Sequence, residues 1–368
     1  MTKKILIVIG TRPNFIKVTQ FKRVALEFSG LEIKLVHTGQ HFDTKMADDF
    51  FSQFGLKPDF FLNINTEMPV ADQMNEAESK IVGLIKEHSP SLVMVVGDVN
   101  STLAGARAAK RMNVKLAHVE SGLRSFDQTM PEEYNRIETD KLADVFFVTE
   151  QSGIDNLLKE GVDKEKIFFV GNTMIDTMIA FKKEIDDSDI LTKLNIGSKQ
   201  FVLMTIHRPA TVDSSQGLNE LLKIIQKITG SYKIIFPIHP RTLKNIKAFG
   251  LEDRFDSMKN LIKVEPLDYF SFQKLIKGSK FILTDSGGIQ EESTFLKIPC
   301  LTLRNNTERP ITISMGTNKL IPFKYEVIEK EIREIEKGTF KKGSVPFNWD
   351  GNATRRILQV LVSEKIGA

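Results

Sequence analysis

The chain has 368 residues, of which 41% are hydrophobic and 27% are charged, and both values are ordinary for a globular protein. Its length favours two domains, at roughly 150 residues per domain. The 51 Lys and Arg residues exceed the 47 Asp and Glu residues by a formal net charge of only +4. Because nucleic-acid binders usually carry a stronger and more clustered basic excess, we expect no nucleic-acid partner and only a small anionic ligand.

The single cysteine, Cys300, excludes an internal disulfide and a cysteine-based zinc cluster. Basic residues precede an apolar run at the start of the chain, as in a signal peptide, but Gly10 ends the run after five residues. No stretch of the sequence approaches the ~20 apolar residues that a membrane helix needs. We therefore expect a cytoplasmic protein that has no membrane partner.

Short apolar runs rich in Ile, Val and Phe alternate with amphipathic segments of helical length. The first series of predicted strands comprises Ile5–Ile9, Ile33–His37, Leu92–Val96, Lys115–Val119, Val145–Val148 and Ile167–Val170. The second series comprises Phe201–Ile206, Lys233–Pro237, Leu261–Val264, Phe281–Thr284 and Pro299–Leu303. Continuous apolar strands separated by helices are typical of parallel sheets covered on both faces. The sequence therefore predicts two Rossmann-like, doubly wound α/β domains with a cleft between them.

A charged stretch, residues 182–189, separates the two series of strands. We place the boundary after Gly171, which gives an N-terminal domain over residues 1–171 and a C-terminal domain over residues 172–351. A second charge-rich stretch, Tyr325–Lys342, is predicted to be a solvated helix.

Three acids are the first candidates for chemistry. Asp98 and Glu120 each follow a predicted strand, and Glu132 lies in a later loop. Ligands of doubly wound sheets bind beyond the carboxyl ends of the strands, so the three acids together indicate general acid–base groups. For Asp98 taken by itself, a helix N-cap is the favoured interpretation. A metal site is the weaker interpretation, because no acid pairs with a histidine at a metal-binding spacing.

A glycine turn between the predicted strand Phe281–Thr284 and a helix, in residues 284–293, indicates a phosphate site. The free N–H groups and the dipole of a first helical turn suit a phosphate. Glu292, about one turn further along, can accept hydrogen bonds from both hydroxyls of a ribose. An ordinary glycine turn with solvent-facing acids is the alternative.

No dinucleotide fingerprint or P-loop follows the first predicted strand, so no dinucleotide cofactor is expected. Arg12 and Lys17 would instead supply positive charge to a diphosphate, unless they are surface cations beside a turn. His207 and His239 end strands of the second series, and flanking arginines make them candidates for phosphate contacts. Phe272 is either part of a base pocket or a core residue.

The polar segments that follow the predicted strands, taken in order, resemble the non-hydrolysing UDP-N-acetylglucosamine 2-epimerases over nearly the whole chain. They are Gly10-Thr-Arg-Pro-Asn-Phe-Ile-Lys17, His37-Thr-Gly-Gln-His41, Gly97-Asp-Val-Asn-Ser-Thr102, His118-Val-Glu-Ser-Gly-Leu-Arg124, Pro131-Glu-Glu-Tyr-Asn-Arg136, His207-Arg-Pro209, Asp285-Ser-Gly-Gly-Ile-Gln-Glu-Glu292 and Thr307-Glu-Arg-Pro310. The resemblance implies the glycosyltransferase B architecture, in which a C-terminal helix (residues 352–368) returns to the first domain. It also implies a homodimer that needs no cofactor.

The resemblance assigns a role to each matching residue. The acid–base set is Asp98, Glu120 and Glu132, and His207 is a catalytic residue on the phosphate side. The implied substrate-binding residues are Arg12, Lys17, Arg136 and Arg309 in general, Ser286, Gly287 and Gly288 for the phosphates, Glu292 for the ribose, and Leu267 and Phe272 for the uracil. At Leu267 only a main-chain contact carries over, because some relatives have Gln there.

The chemistry implied by the family is an elimination. The C2 hydrogen of a UDP-sugar is not next to a carbonyl, so simple deprotonation is unfavourable. Loss of UDP from C1 while a base removes the C2 proton gives a glucal intermediate, to which UDP adds back after protonation on the other face. The expected role is the supply of precursors for bacterial surface polysaccharides.

Two departures from the family pattern affect the expected substrate and regulation. Pro209 stands where many bacterial members have a second arginine that serves an allosteric substrate site, which predicts simple hyperbolic kinetics. The motifs that end at Asp43 and Asp127 are similar to a branch that also acts on deoxy and uronate UDP-2-acetamido sugars. A glycosyltransferase of the same fold, a hydrolysing epimerase and an inactive UDP-sugar sensor are the other functions considered.

Overall fold

The computed structural model describes residues 2–39 and 51–363. The motif residues Gln40 to Asp43 lie outside that part of the chain. The chain divides into two compact units, which we call unit 1 (Met1–Ala180 with Phe347–Ala368) and unit 2 (Phe181–Pro346).

Unit 1 contains a parallel sheet that has seven strands in the described residues, in the order β3-β2-β1-β4-β5-β6-β7. Its strands are β1 (Lys3–Ile9), β2 (Leu31–His37), β3 (Phe60–Phe61), β4 (Leu92–Val96), β5 (Lys115–Val119), β6 (Val145–Val148) and β7 (Ile167–Phe169). Its helices before unit 2 are α1 (Arg12–Val18), α2 (Phe21–Ala25), α3 (Val70–His88), α4 (Asn100–Arg111), α5 (Pro131–Leu142), α6 (Gln151–Lys159) and α7 (Thr173–Ala180), with a short 3₁₀ helix at Lys164–Lys166.

The order of strands in this sheet reverses at β1. Ile5 of β1 is in register with Ile33 of β2 on one side and with Leu92 of β4 on the other. Every residue of β4 is buried, as expected of a central strand whose two faces are covered by helices. In such sheets the reversal point is where ligands bind, beyond the carboxyl ends of the strands.

Unit 2 contains a second parallel sheet, which has six strands in the order β10-β9-β8-β11-β12-β13. Its strands are β8 (Phe201–Thr205), β9 (Lys233–Pro237), β10 (Leu261–Val264), β11 (Phe281–Thr284), β12 (Cys300–Thr302) and β13 (Asn318–Leu320). Its helices are α8 (Lys182–Asp187), α9 (Ile190–Lys193), α10 (Pro209–Val212), α11 (Ser215–Ile228), α12 (Pro240–Ala248), α13 (Glu252–Asp256), α14 (Tyr269–Gly278), α15 (Gly287–Leu296), α16 (Ile311–Ser314) and α17 (Tyr325–Glu336).

The C-terminal helix, α18 (Ala353–Val362), belongs to unit 1 and packs against α2 and α7. Its N-terminus is capped by Asp176 of α7, whose carboxylate accepts hydrogen bonds from the N–H groups of Ala353 (3.1 Å) and Thr354 (2.6 Å). Burial raises the pKa of Asp176 to about 6, although these two hydrogen bonds act in the opposite direction.

The fold class predicted from the sequence is confirmed, since both sheets are parallel and their strands alternate with helices. Each predicted strand is present, with ends that differ by at most two residues. The prediction missed β3 and β13, which are two and three residues long and lie at sheet edges. The prediction of a solvated helix at Tyr325–Lys342 was wrong in part, because α17 ends at Glu336 and buries Ile328 and Ile332 in the unit 2 core. None of the helices within the described residues is long and apolar enough to cross a membrane.

Candidate functional site

The carboxyl end of the unit 1 sheet holds a buried ion pair. Lys17 lies in the last turn of α1, the helix that follows β1, and Glu120 directly follows β5. Lys17 Nζ lies 2.5 Å from Glu120 Oε2, and the two side chains are only 5% and 2% exposed. Lys17 is therefore buried, and the alternative interpretation, that it is a surface cation beside a turn, was wrong.

The backbone beside this pair takes left-handed conformations. Gly97, after β4, has a φ of +67°, and a Cβ on it would lie 3.3 Å from Lys17 Nζ. Glu120 itself has a φ of +68°. A residue other than glycine in this region costs about 1–3 kcal/mol, and such strain clusters at functional sites.

Asp98 forms a second ion pair at the same end of the sheet. Its Oδ2 accepts a hydrogen bond from Nε (3.0 Å) of Arg136, a buried residue of α5, and lies 2.8 Å from Nη2 of the same guanidinium. The N-cap residue of α4 is Val99. The alternative interpretation, that Asp98 caps this helix, was therefore wrong. Asp98 keeps 22% of its side-chain surface exposed and is accessible to a ligand.

Glu132 and Glu133 are adjacent residues with opposite environments. Glu132, the predicted acid, is exposed in the first turn of α5. Glu133 is 2% exposed, is ion-paired with Arg136, and accepts hydrogen bonds from Ser125 Oγ and from the N–H groups of Ser125 and Phe126. Glu133 was not predicted from the sequence as a functional residue. Its spacing of three residues from Arg136 on a helix is the signal that could have revealed it.

The turn that Glu133 holds ends in a strained and exposed aromatic residue. Phe126 has a φ of +58°, and its side chain is 75% exposed. For a bulky residue this conformation is an outlier that costs about 1–3 kcal/mol.

A buried histidine joins the ends of β4 and β5. His118 Nδ1 lies 2.6 Å from Asp140 Oδ1, and His118 Nε2 lies 2.8 Å from the Gly97 carbonyl oxygen. Because a carbonyl oxygen can only accept, Nε2 must carry a hydrogen. Asp140 Oδ2 also accepts from Gly122 N (3.0 Å) and lies 2.8 Å from Arg124 Nη1. Burial tends to raise the pKa of Asp140, but His118 and Arg124 outweigh it and lower the pKa.

In unit 2, Asp285 orients His207. The N–H groups of His207 and Arg208 donate to Asp285 Oδ2 at 2.9 and 2.8 Å, and His207 Nδ1 lies 3.1 Å from Asp285 Oδ1. Burial tends to raise the pKa of Asp285, but these His207 and Arg208 contacts lower it. The ring of His239 stacks on His207 at 5.3 Å, and burial, together with the neighbouring His207 and Arg241, lowers the pKa of His239. His207 remains 38% exposed, so its ring is open to a ligand.

The first turn of α15 lies beside a buried arginine. Ser286 is the N-cap residue, and Gly287 and Gly288 are the first two helical residues. A Cβ on Gly287 would lie 2.8 Å from Glu308 Oε1 and 3.1 Å from Arg309 Nη1, so a larger residue would displace Glu308, the ion-pair partner of Arg309. A helix N-terminus with a guanidinium beside it is suited to bind an anion.

Arg309 is itself held by acids. Its Nε lies 2.7 Å from Glu291 Oε2, and it also pairs with Glu308, which contacts Arg304 at 3.1 Å. Glu291 and Glu292 are 0% and 6% exposed, so the alternative of solvent-facing acids after the glycine turn was wrong.

The residues assigned to the ribose and the uracil lie in or near the unit 2 core. Glu292 accepts a 2.5 Å hydrogen bond from Gln273 Nε2, and burial raises the pKa of Glu292 to about 8. Leu267 and Phe272 are partly buried against a core cluster that includes Ile289. In unit 1, Arg12 is partly exposed at the first residue of α1. These four ligand-binding assignments, Glu292, Leu267, Phe272 and Arg12, stay predictions.

Within residues 2–39 and 51–363, no group of three or more His, Cys, Asp or Glu side chains is placed to hold a metal ion.

Comparison with known proteins gives the family. The family model described as UDP-N-acetylglucosamine 2-epimerase matches residues 25–362. A UDP-N-acetylglucosamine 2-epimerase of Methanococcus maripaludis is 39% identical over 370 residues, which cover 98% of this chain and 99% of that protein. A UDP-2,3-diacetamido-2,3-dideoxy-D-glucuronate 2-epimerase of Pseudomonas aeruginosa is 35% identical, with 97% and 99% of the two chains covered.

A solved structure agrees with these relatives. The crystal structure of the Methanocaldococcus jannaschii UDP-GlcNAc 2-epimerase, in complex with UDP-GlcNAc and UDP, matches with a TM-score of 0.87 at 37% identity, and covers 97% of this chain and 99% of that one. The match in sequence and in fold thus extends over both units. The chain belongs to the UDP-N-acetylglucosamine 2-epimerase family.

Proposed function

We propose that the protein is a non-hydrolysing 2-epimerase that interconverts UDP-GlcNAc and UDP-ManNAc by elimination and re-addition of UDP. The observation that carries this proposal is the pairing of Glu120 with Lys17 and of Asp98 with Arg136 at the carboxyl end of the unit 1 sheet, in a chain of this family. A glycosyltransferase would need the nucleotide site but not these acids.

Unit 2 binds the UDP group in this proposal. Ser286, the N–H groups of Gly287 and Gly288 and the Arg309 guanidinium hold the diphosphate. His207, oriented by Asp285, contacts the phosphate that leaves C1. Glu292 receives the ribose hydroxyls, and Leu267 and Phe272 contact the uracil.

Unit 1 moves the proton. One of the acids Asp98, Glu120 and Glu132 removes the C2 proton, and the C–H electron pair forms the C1–C2 double bond as the C1–O bond breaks toward UDP. Another acid protonates C2 on the opposite face, and a phosphate oxygen then bonds to C1 again. Arg12, Lys17 and Arg136 offset the negative charge that develops on the departing phosphate. The held UDP makes the reaction reversible without hydrolysis.

A second substrate is supported by the Pseudomonas relative, which is named for a diacetamido uronate sugar at 35% identity. The same elimination serves any UDP-2-acetamido sugar, because it uses only the C2 proton and the UDP leaving group. We propose UDP-GlcNAc as the substrate, with the uronate sugar as the second candidate. We further propose that the protein is a cytoplasmic homodimer that supplies polysaccharide precursors.

Proton NMR of the protein with UDP-GlcNAc in D₂O, with no added cofactor, tests the function. We expect UDP-ManNAc with deuterium at C2. Free N-acetylmannosamine with UDP would instead establish a hydrolysing enzyme. No reaction with UDP-GlcNAc but C2 exchange in the diacetamido uronate sugar would establish the second substrate, and no reaction with either would leave a binding protein.

A further inference from the structure

Phe126 occupies a position that the fold alone does not explain. Its φ of +58° is one that glycine adopts without strain. Its side chain is 75% exposed. Burial of the ring therefore contributes too little free energy to offset the cost of the unfavourable backbone conformation. Neither the turn nor the core requires a phenylalanine at this position.

The turn that carries Phe126 is nonetheless fixed. Glu133 accepts the Phe126 N–H at 2.8 Å, the Ser125 N–H at 2.9 Å and the Ser125 hydroxyl at 2.9 Å. A buried carboxylate with these hydrogen bonds holds the backbone in one conformation. The exposed ring is therefore presented on a rigid support.

The same support leads to a candidate acid. Glu133 is ion-paired with Arg136, and Arg136 donates a hydrogen bond from Nε to Asp98 and forms an ion pair with it through Nη2. Glu132, another candidate acid, is the exposed neighbour of Glu133. The backbone of Phe126 and the carboxylate of Asp98 are thus linked through Glu133 and Arg136 within unit 1.

We propose that Phe126 packs against the 2-acetamido hexose of the UDP-sugar and so selects the sugar, an inference that rests on the proposed function. A phenyl ring has no hydrogen-bonding group, and its face carries negative charge density that attracts C–H groups. The diphosphate offers no such surface, and the uracil is assigned to unit 2. Once the diphosphate and the uracil are excluded, the apolar surfaces of the substrate are the C–H face of the hexose and its acetamido methyl. A phenyl ring linked to Asp98 would contact these surfaces.

Calorimetric titration with UDP-GlcNAc and with UDP, which lacks the sugar, tests this contact. We expect Phe126→Ala and Phe126→Gly to weaken the binding of UDP-GlcNAc about 5- to 10-fold and to leave the binding of UDP unchanged. Phe126→Tyr keeps the ring and should bind both like the wild type. Phe126→Gly relieves the backbone strain, so its melting temperature should equal or exceed that of the wild type. A weaker affinity of this variant for UDP-GlcNAc then reports the lost contact with the sugar and not misfolding.

Phe347→Ala is the matched control, because Phe347 is also in unit 1 and is 73% exposed; it should change neither affinity. Equal weakening for UDP and UDP-GlcNAc, or no weakening, would overturn the contact with the sugar. A sedimentation coefficient changed by Phe126→Ala would place the ring in a subunit interface and also overturn it. A wild type that binds UDP-GlcNAc without epimerising it would refute the proposed function while the comparison of affinities still decides on Phe126. Absence of UDP-GlcNAc binding to the wild type would refute both.

Discussion

The carboxyl ends of the two sheets carry different kinds of charged and polar groups. At the carboxyl end of the unit 1 sheet, carboxylates from strand ends are paired with cations from helices, as in Lys17–Glu120 and Arg136–Asp98. At the corresponding end of unit 2, a helix N-terminus, Arg309 and the exposed His207 dominate. One arrangement suits proton transfer and the other suits an anion. The same fold therefore carries two different sets of polar residues after its strands, which the proposed function uses for proton transfer and for binding UDP.

The largest expected effect separates these two functions. Asp98→Asn, Glu120→Gln and Glu132→Gln should each lower turnover by about 10²-fold or more, the usual contribution of an acid–base group, while the affinity for UDP is retained. NMR turnover and UDP calorimetry measure the two quantities. Glu138→Gln is the control, because Glu138 lies on the same helix as Glu132 and pairs only at the surface with Lys141. If all three acid variants kept wild-type turnover, unit 1 would not be the proton-transfer unit.

The next effect concerns the buried charges that support unit 1. Asp140→Asn leaves His118 and Arg124 without their shared carboxylate and should lower the free energy of unfolding by about 3–5 kcal/mol. Urea denaturation measures it. Asp163→Asn is the control: Asp163 is 73% exposed and pairs with Lys166 at 3.2 Å, and its loss should cost less than about 1 kcal/mol. Equal effects in the two variants would contradict the importance of the buried pair.

Each unit also contains a buried carboxyl group with a raised pKa, and the two should respond in different pH ranges. The pKa of Asp176 in unit 1 rises from 3.8 to about 6, and that of Glu292 in unit 2 from 4.5 to about 8. Between the ordinary and the raised value the folded state binds more protons than the unfolded state, so stability falls as pH rises. The loss should run from pH 4 to 6 for Asp176, by about 2–3 kcal/mol, and from pH 4.5 to 8 for Glu292.

Urea denaturation between pH 4 and pH 8 tests both ranges. Glu292→Gln should flatten the curve between pH 6 and 8, and Asp176→Asn should flatten it only below pH 6. A Glu292→Gln curve parallel to that of the wild type would show that Glu292 does not titrate in this range.

A smaller effect is expected at the anion site of unit 2. Gly287→Ala places a Cβ 2.8 Å from Glu308 Oε1 and 3.1 Å from Arg309 Nη1. Glu308, the ion-pair partner of Arg309, must therefore move, and UDP should bind about tenfold more weakly. Calorimetry with UDP measures this. Gly83→Ala is the control, because a Cβ there meets no atom within 4 Å. Unchanged UDP affinity in Gly287→Ala would show that the diphosphate does not bind at the first turn of α15.

The smallest expected effect is the absence of cooperativity. Pro209 begins α10, where the family resemblance places an allosteric arginine in other members. Initial rates should follow a hyperbola in UDP-GlcNAc, with a Hill coefficient of about 1. A sigmoidal curve would show that substrate also acts at a regulatory position without that arginine.

The sequence by itself determined the fold class and the positions of the strands, because apolar runs and their spacing are local signals. It also placed the polar residues at strand ends, since parallel strands bring their carboxyl ends to one edge of the sheet. The edge strands β3 and β13 could not be predicted from the sequence. Segments of two or three residues carry no periodicity and form strands only when a neighbouring strand supplies the hydrogen bonds.

Only the tertiary structure decided how the charged residues are paired. Lys17 and Glu120 are 103 residues apart in the chain, and nothing local indicates that they meet. Packing likewise exposed Glu132 and buried its neighbour Glu133 against Arg136, because adjacent residues of a helix point in different directions. The physical reason is that secondary structure follows short-range patterns, whereas the partner of a buried charge is set by which elements pack together.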